Sequence, residues 1–217
     1  MTYTYYWADG SVSNQPYNQF TDSSGCAIGC GGLAWTILFC WGDHQAGNGN
    51  SYWAPRWGLY RQDGGRGANV VAPTTQTAGV DNVVTEIHDD VATFCITGQG
   101  ATFPWDMDQA RNYLSGRTGT TLTTHFNSFG VGEPTLREYA RDSIRDRGTP
   151  AVIGTGWLSH YPVAYGYAWQ SRVVRKCFVF CWNETVYDRF FYVNQGWGGA
   201  GNDWVAASTW FAGEIHP

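Results

Sequence analysis

Between residues 151 and 210 the chain is an almost unbroken series of strand-forming segments, and this run decides the class of fold. Residues 151–157, 163–169, 177–182, 186–194 and 204–210 are each rich in Val, Phe, Tyr and Trp, with Gly and Asn between them. Ahead of that run the apolar spacing is helical. Leu33, Ile37, Leu38 and Trp41, with Ala34 alongside, mark a largely apolar buried helix over 29–41. Val80, Val83, Val84, Ile87 and Val91 form a second stripe, and a shorter helix is predicted over 104–114. Leu136, Tyr139, Ala140 and Ile144 form another, with Pro134 near its first position, Gly148 as its stop and Pro150 beyond. Residues 1–25 read as a polar, extended arm, and 42–79 as a long Gly/Asn/Gln-rich loop. Helices first and strands later predict an α+β architecture with an antiparallel sheet. The 217 residues suit a single domain, with a helical half over about 1–148 and a sheet half over about 149–217.

Composition narrows the partners. The chain is 43% hydrophobic and only 14% charged, which excludes disorder. No apolar run reaches 18 residues, so no membrane span and no membrane partner are expected. A net charge of −5 does not release counterions from phosphates, so nucleic acid is not an expected partner. The start, Met1 to Trp7, has neither a basic segment nor an apolar run, which reads as a cytoplasmic protein or a mature domain without its signal peptide.

Six cysteines are too few for a disulfide-built scaffold. The four-residue spacings Cys26/Cys30 and Cys177/Cys181 fit zinc poorly. If 177–182 is a strand, Cys177 and Cys181 stand too far apart to bridge each other. His44, His88, His125 and His216 are scattered without ligand spacing, and neither a metal nor a cofactor is expected. Trp35, Trp41, Trp157, Trp169 and Trp182 sit in apolar patterns and read as core. Trp53, Trp57 and Trp105 lie in loops that can line a substrate groove.

Three segments carry chemistry. Within 24–35 (SGCAIGCGGLAW), Cys30 stands where a glycine-rich turn enters the apolar helix. A thiol there meets the positive end of the helix dipole and unpaired backbone N–H groups, which favour the nucleophilic thiolate. His160 stands just before a strand, and Asn194 ends the following one, ahead of Gly196-Trp197-Gly198-Gly199. The order is Cys, then His 130 residues on, then Asn 34 residues further.

In this order and in its local motifs the chain resembles the papain-like cysteine peptidases, most closely the streptopain-like branch. The nucleophile motif is similar at Gly29-Cys30 followed by Ala34, the histidine motif at His160, Val163, Gly166 and Tyr167, and the asparagine motif at Val193-Asn194 with Gly196 to Gly199. Asn14-Gln15-Pro16-Tyr17-Asn18 resembles the family's Gln-x-x-Pro-Tyr-Asn, two residues shorter. Residues 42–130 match no named pattern. The resemblance implies a papain-like fold and a cysteine endopeptidase in which Cys30 attacks the peptide carbonyl as the thiolate of a pair with protonated His160. Asn194 would orient the imidazole and Trp197 would shield that hydrogen bond. The oxyanion would be held by the Cys30 amide and the side chain of Gln15, with Gln19 as the alternative donor. Cys26 competes as nucleophile, although a cysteine shortly before the nucleophile is often a disulfide partner in papain relatives. Expected partners are a protein or peptide substrate only, for a secreted bacterial monomer freed of its propeptide. Two other readings stand beside it: a thiol amidase or isopeptidase on cell-wall or modified peptides, using the same residues, and a non-catalytic Trp-rich binding module on the same fold.

Overall fold

The computed structural model describes residues 2–9, 15–53, 71–115 and 120–216. It is an α+β arrangement with an antiparallel sheet. Helix α1 (Cys30–Gly47) runs through the core with Trp35, Phe39 and Trp41 fully enclosed. Its apolar residues cover every side, as a helix surrounded by other layers requires. Gly29 precedes it at φ 84, a left-handed turn that reverses the chain into the helix. Gly31 and Gly32 let neighbours close in: a Cβ on Gly31 would meet Met107 and Thr102, and one on Gly32 the backbone of His88.

Helix α2 (Ala78–Asp90) is capped by Thr77, whose hydroxyl accepts the Val80 amide at 3.3 Å, and buries Val80, Val83, Val84 and Ile87. The short helix expected over 104–114 is a 3-10 turn, Met107–Ala110, continuing into α3 (Arg111–Leu114). Helix α4 (Pro134–Arg147) starts on its proline and stops at Gly148 in the left-handed conformation. Strands β2 (Phe94–Ile96) and β3 (Gln99–Ala101) form a separate hairpin beside α1.

The main sheet contains β1 (Thr4–Trp7), β4 (Thr121–Phe126), β5 (Ala151–Ile153), β6 (Val163–Cys177), β7 (Cys181–Asn194), β8 (Asp203–Ala206) and β9 (Phe211–His216). Its order is β4-β9-β5-β6-β7-β8, with β1 paired to β6. The chain's two ends therefore meet in one sheet. The expected arm over 1–25 supplies β1, and β4 also comes from the helix-rich half. Neither showed in the sequence because single short strands among polar residues leave no alternation long enough to read.

Four further expectations are corrected. Residues 177–182 are not a strand but the tip of the β6–β7 hairpin, where Cys177 and Cys181 pair in register with Cα atoms 4.1 Å apart and form a disulfide. Hairpin geometry brings together two residues that a single strand would hold apart. The strand expected over 204–210 ends at Ala206, and β9 follows after a turn. The loop expected over 42–79 begins only after Gly47. Two tryptophans read as core are exposed: Trp157, on the loop after β5, is 71% exposed, and Trp182 stands at the hairpin tip.

Candidate active site

Cys30 is the first residue of α1, so its sulfur sits at the helix amino terminus. The Tyr161 amide donates to Cys30 Sγ at 3.4 Å, and the amides of Cys30 and Gly31 also stabilise the sulfur's negative form. Burial outweighs these three donors and pushes the thiol above its ordinary value. Low local polarity thus reverses the direction expected from the helix dipole alone.

Cysteine pairing leaves one accessible thiol. Cys26 is bonded to Cys95, which removes it as a competing nucleophile and ties the β2–β3 hairpin to the segment ahead of Cys30. Cys40 is free but fully enclosed in α1, and burial drives its thiol far up. Cys30 keeps partial exposure.

His160 is fixed on the loop from β5 to β6, where its carbonyl accepts the Thr155 amide at 2.9 Å. Its Nε2 lies 3.0 Å from the carbonyl oxygen of Gln195. A carbonyl only accepts, so Nε2 carries the hydrogen and the neutral ring keeps its lone pair on Nδ1. Burial lowers the imidazole's proton affinity, opposed by both the backbone and the side chain of Gln195. Trp197 stacks on the imidazole at 5.3 Å between centroids and 26° between planes.

Asn194 is fully buried one residue before that carbonyl. Its Oδ1 accepts the Gly196 amide at 2.9 Å, and its Nδ2 donates to the Gln15 carbonyl at 3.2 Å. It braces the turn that presents the Gln195 carbonyl to His160. Gly196 completes this turn at φ 73, packed against Leu33 of α1. The same turn is fastened to the amino-terminal segment, where the Gly198 amide donates to the Tyr17 carbonyl at 3.0 Å.

Cys30, His160, Gln195 and Trp197 line one cleft of about 660 Å³, with Gln19 and Gln99 on its walls. Gln15 is not on this wall but fully buried, and its side-chain amide has no hydrogen-bond partner among the described residues. Asn14 and Trp57 lie outside the described residues. Trp53 is buried edge-on against Trp41, so it lines no groove. Trp105 is exposed and stacked on Phe103. Among the described residues no group of three His, Cys, Asp or Glu side chains is placed to hold a metal ion, and no helix is long and apolar enough to cross a membrane.

The sequence reading missed Gln195 as the imidazole's partner and Tyr161 as a donor to sulfur. Both act through the main chain, which any residue type supplies, so side-chain identity held no signal. Comparison with protein-family models and with curated protein sequences finds no match to this chain.

Proposed function

We propose that this chain is a cysteine peptidase of the papain-like type, cleaving peptide bonds through an acyl-enzyme. One observation carries the reading. The single accessible thiol, at a helix amino terminus, shares a cleft with an imidazole whose Nε2 is engaged and whose face is covered by an indole. Such a thiol and such a base are the two groups that covalent acyl transfer needs.

In this mechanism the resting pair is neutral, because burial raises Cys30 and lowers His160. As Sγ attacks the scissile carbonyl, its proton passes to His160 Nδ1, and the resulting imidazolium is steadied by the Gln195 carbonyl at Nε2. The oxyanion receives the Cys30 amide and a glutamine side chain. Gln19 already lines the cleft, while Gln15 is buried with its side-chain amide unbonded among the described residues. Collapse expels the amine, which takes the proton from His160. Water then attacks the thioester with Nδ1 as base, releasing the acid and restoring the thiol. Two disulfides fit a protein that works in an oxidising compartment outside the cytoplasm.

The test is hydrolysis of fluorescently labelled casein by the wild type, Cys30→Ala and His160→Ala, each checked for folding by circular dichroism. The reading requires both variants to fold and to lose hydrolysis by at least about 10³-fold. A folded Cys30→Ala protein with wild-type activity overturns it.

A further inference from the structure

Away from the cleft, the sheet carries a second arrangement of side chains that the peptidase reading does not use. Helix α4 covers one face of β1, β6 and β7, where Tyr167, Phe191 and Val193 pack with Ala140 and Ile144. The opposite face is laid out in cross-strand rows, since register partners point to the same side. One row is Trp7, Gly166, Tyr192 and Trp204, and the next is Tyr5, Ala168 and Phe190. Trp7 lies across the bare backbone of Gly166, where a Cβ would stand 2.7 Å from its ring. In the next row Ala168 is the small member between two aromatic rings, and the gap above it is a slot of about 210 Å³. Its walls are Tyr3, Tyr5, Phe190 and Trp204, with Tyr5 54% exposed.

One end of the slot is polar. Gln170 Nε2 donates to the Tyr3 hydroxyl at 2.8 Å and to Asp188 Oδ2 at 3.1 Å, and Arg172 Nε donates to the same carboxylate oxygen at 3.1 Å. These bonds place an amide, a carboxylate and a guanidinium next to Tyr3, one of the residues that line the slot. Acceptors and donors therefore alternate beside a ring-sized aromatic slot.

We propose that this face is a binding site for a pyranose unit of a glycan. A sugar ring offers a flat C–H face that stacks on an aromatic wall, and at its rim hydroxyls that both donate and accept. The slot supplies the wall, and Asp188, Gln170 and Arg172 supply complementary acceptors and donors at the rim. A proline-rich peptide also favours aromatic grooves, but it presents only carbonyl acceptors. It has no hydroxyl to donate to the Asp188 carboxylate, whose Oδ2 already accepts from Gln170 and Arg172. Binding here needs nothing from Cys30.

The probes are the soluble hexamers of N-acetylglucosamine and of glucose, titrated by calorimetry against the Cys30→Ala protein, in which hydrolysis plays no part. A polyproline decapeptide is titrated in parallel. The proposal expects saturable binding of at least one sugar hexamer at the Cys30→Ala protein, weakened at least tenfold by adding Trp204→Ala or Tyr5→Ala, and abolished by Ala168→Leu, which fills the slot. Tyr5→Phe is expected to bind within twofold of the parent. Casein hydrolysis, measured in the wild-type background, is expected to be unchanged by Tyr5→Ala. No saturable binding of either hexamer, binding indifferent to Tyr5 and Trp204, or binding of the polyproline peptide alone overturns the proposal, whatever the protein does to casein.

Discussion

The carbonyl oxygen of Gln195 stands 3.0 Å from Nε2 of His160, and the residue that aims it is Asn194, through a bond from the Gly196 amide to its own side chain. The asparagine thus acts on the imidazole through the backbone turn that it braces. Its bond to the Gln15 carbonyl fastens the same turn to the amino-terminal segment.

Replacing that brace should loosen the base without removing it. Asn194→Ala is expected to lower kcat/KM on a peptide substrate by about 10²-fold through misplacement of the ring. Gln195→Ala keeps the carbonyl and is expected to cost far less, its effect confined to the imidazole's proton affinity. Steady-state kinetics on both folded variants checks the order. A larger loss in Gln195→Ala than in Asn194→Ala would contradict the proposed division of roles.

Burial predicts the shape of the pH profile. His160 is pushed below its ordinary value of 6.5 and Cys30 above 9.0. The reactive form carries one proton between the two groups, so kcat/KM should rise with pH through a midpoint below 6.5 and fall only above 9.0. An acid limb centred well above 6.5 would show that the imidazole is not held as described.

A second titration bears on stability. Glu214 on β9 is buried beside Arg147, whose Nη2 donates to Oε2 at 2.6 Å, and burial still raises its carboxyl from 4.5 to about 7. The folded protein holds this proton more tightly than the unfolded chain does. Its contribution is full below pH 4.5 and is lost as pH rises to about 7, a cost of about 3 kcal/mol. Glu214→Gln is therefore expected to raise the urea midpoint at pH 8 and to leave it little changed at pH 4. Equal effects at both values would contradict the assignment.

The two disulfides should differ in their effect on stability. Cys26–Cys95 closes a separation of 69 residues and Cys177–Cys181 one of 4. Chain entropy assigns about 4 kcal/mol to the first and about 2 kcal/mol to the second. Cys95→Ser should lower Tm about twice as far as the paired Cys177→Ser, Cys181→Ser variant does.

The sequence was most legible where local chemistry repeats. Helical spacing located α1, α2 and α4, and Pro134 and Gly148 marked the start and stop of α4. What it hid depends on contacts far apart in the chain. The pairing of Thr4–Trp7 with β6 joins residues more than 150 apart, and no local pattern encodes a partner. The site divides in the same way. Side-chain identity singled out Cys30 and His160, and both line one cleft. The donors and acceptors that tune them are the main-chain groups of Tyr161 and Gln195, which folding positions and composition does not reveal. Gln15, marked by its motif, is fully buried, whereas Gln19 lines the cleft.

The central claim rests on Cys30 as the one thiol that does the work. The direct measurement is titration with iodoacetamide, following hydrolysis and mapping the modified residue by mass spectrometry. The account predicts one carboxamidomethyl group per chain, on Cys30, with activity falling in proportion to its occupancy and modification slowed in His160→Ala. Hydrolysis that survives full modification of Cys30, or that falls with modification elsewhere, contradicts it.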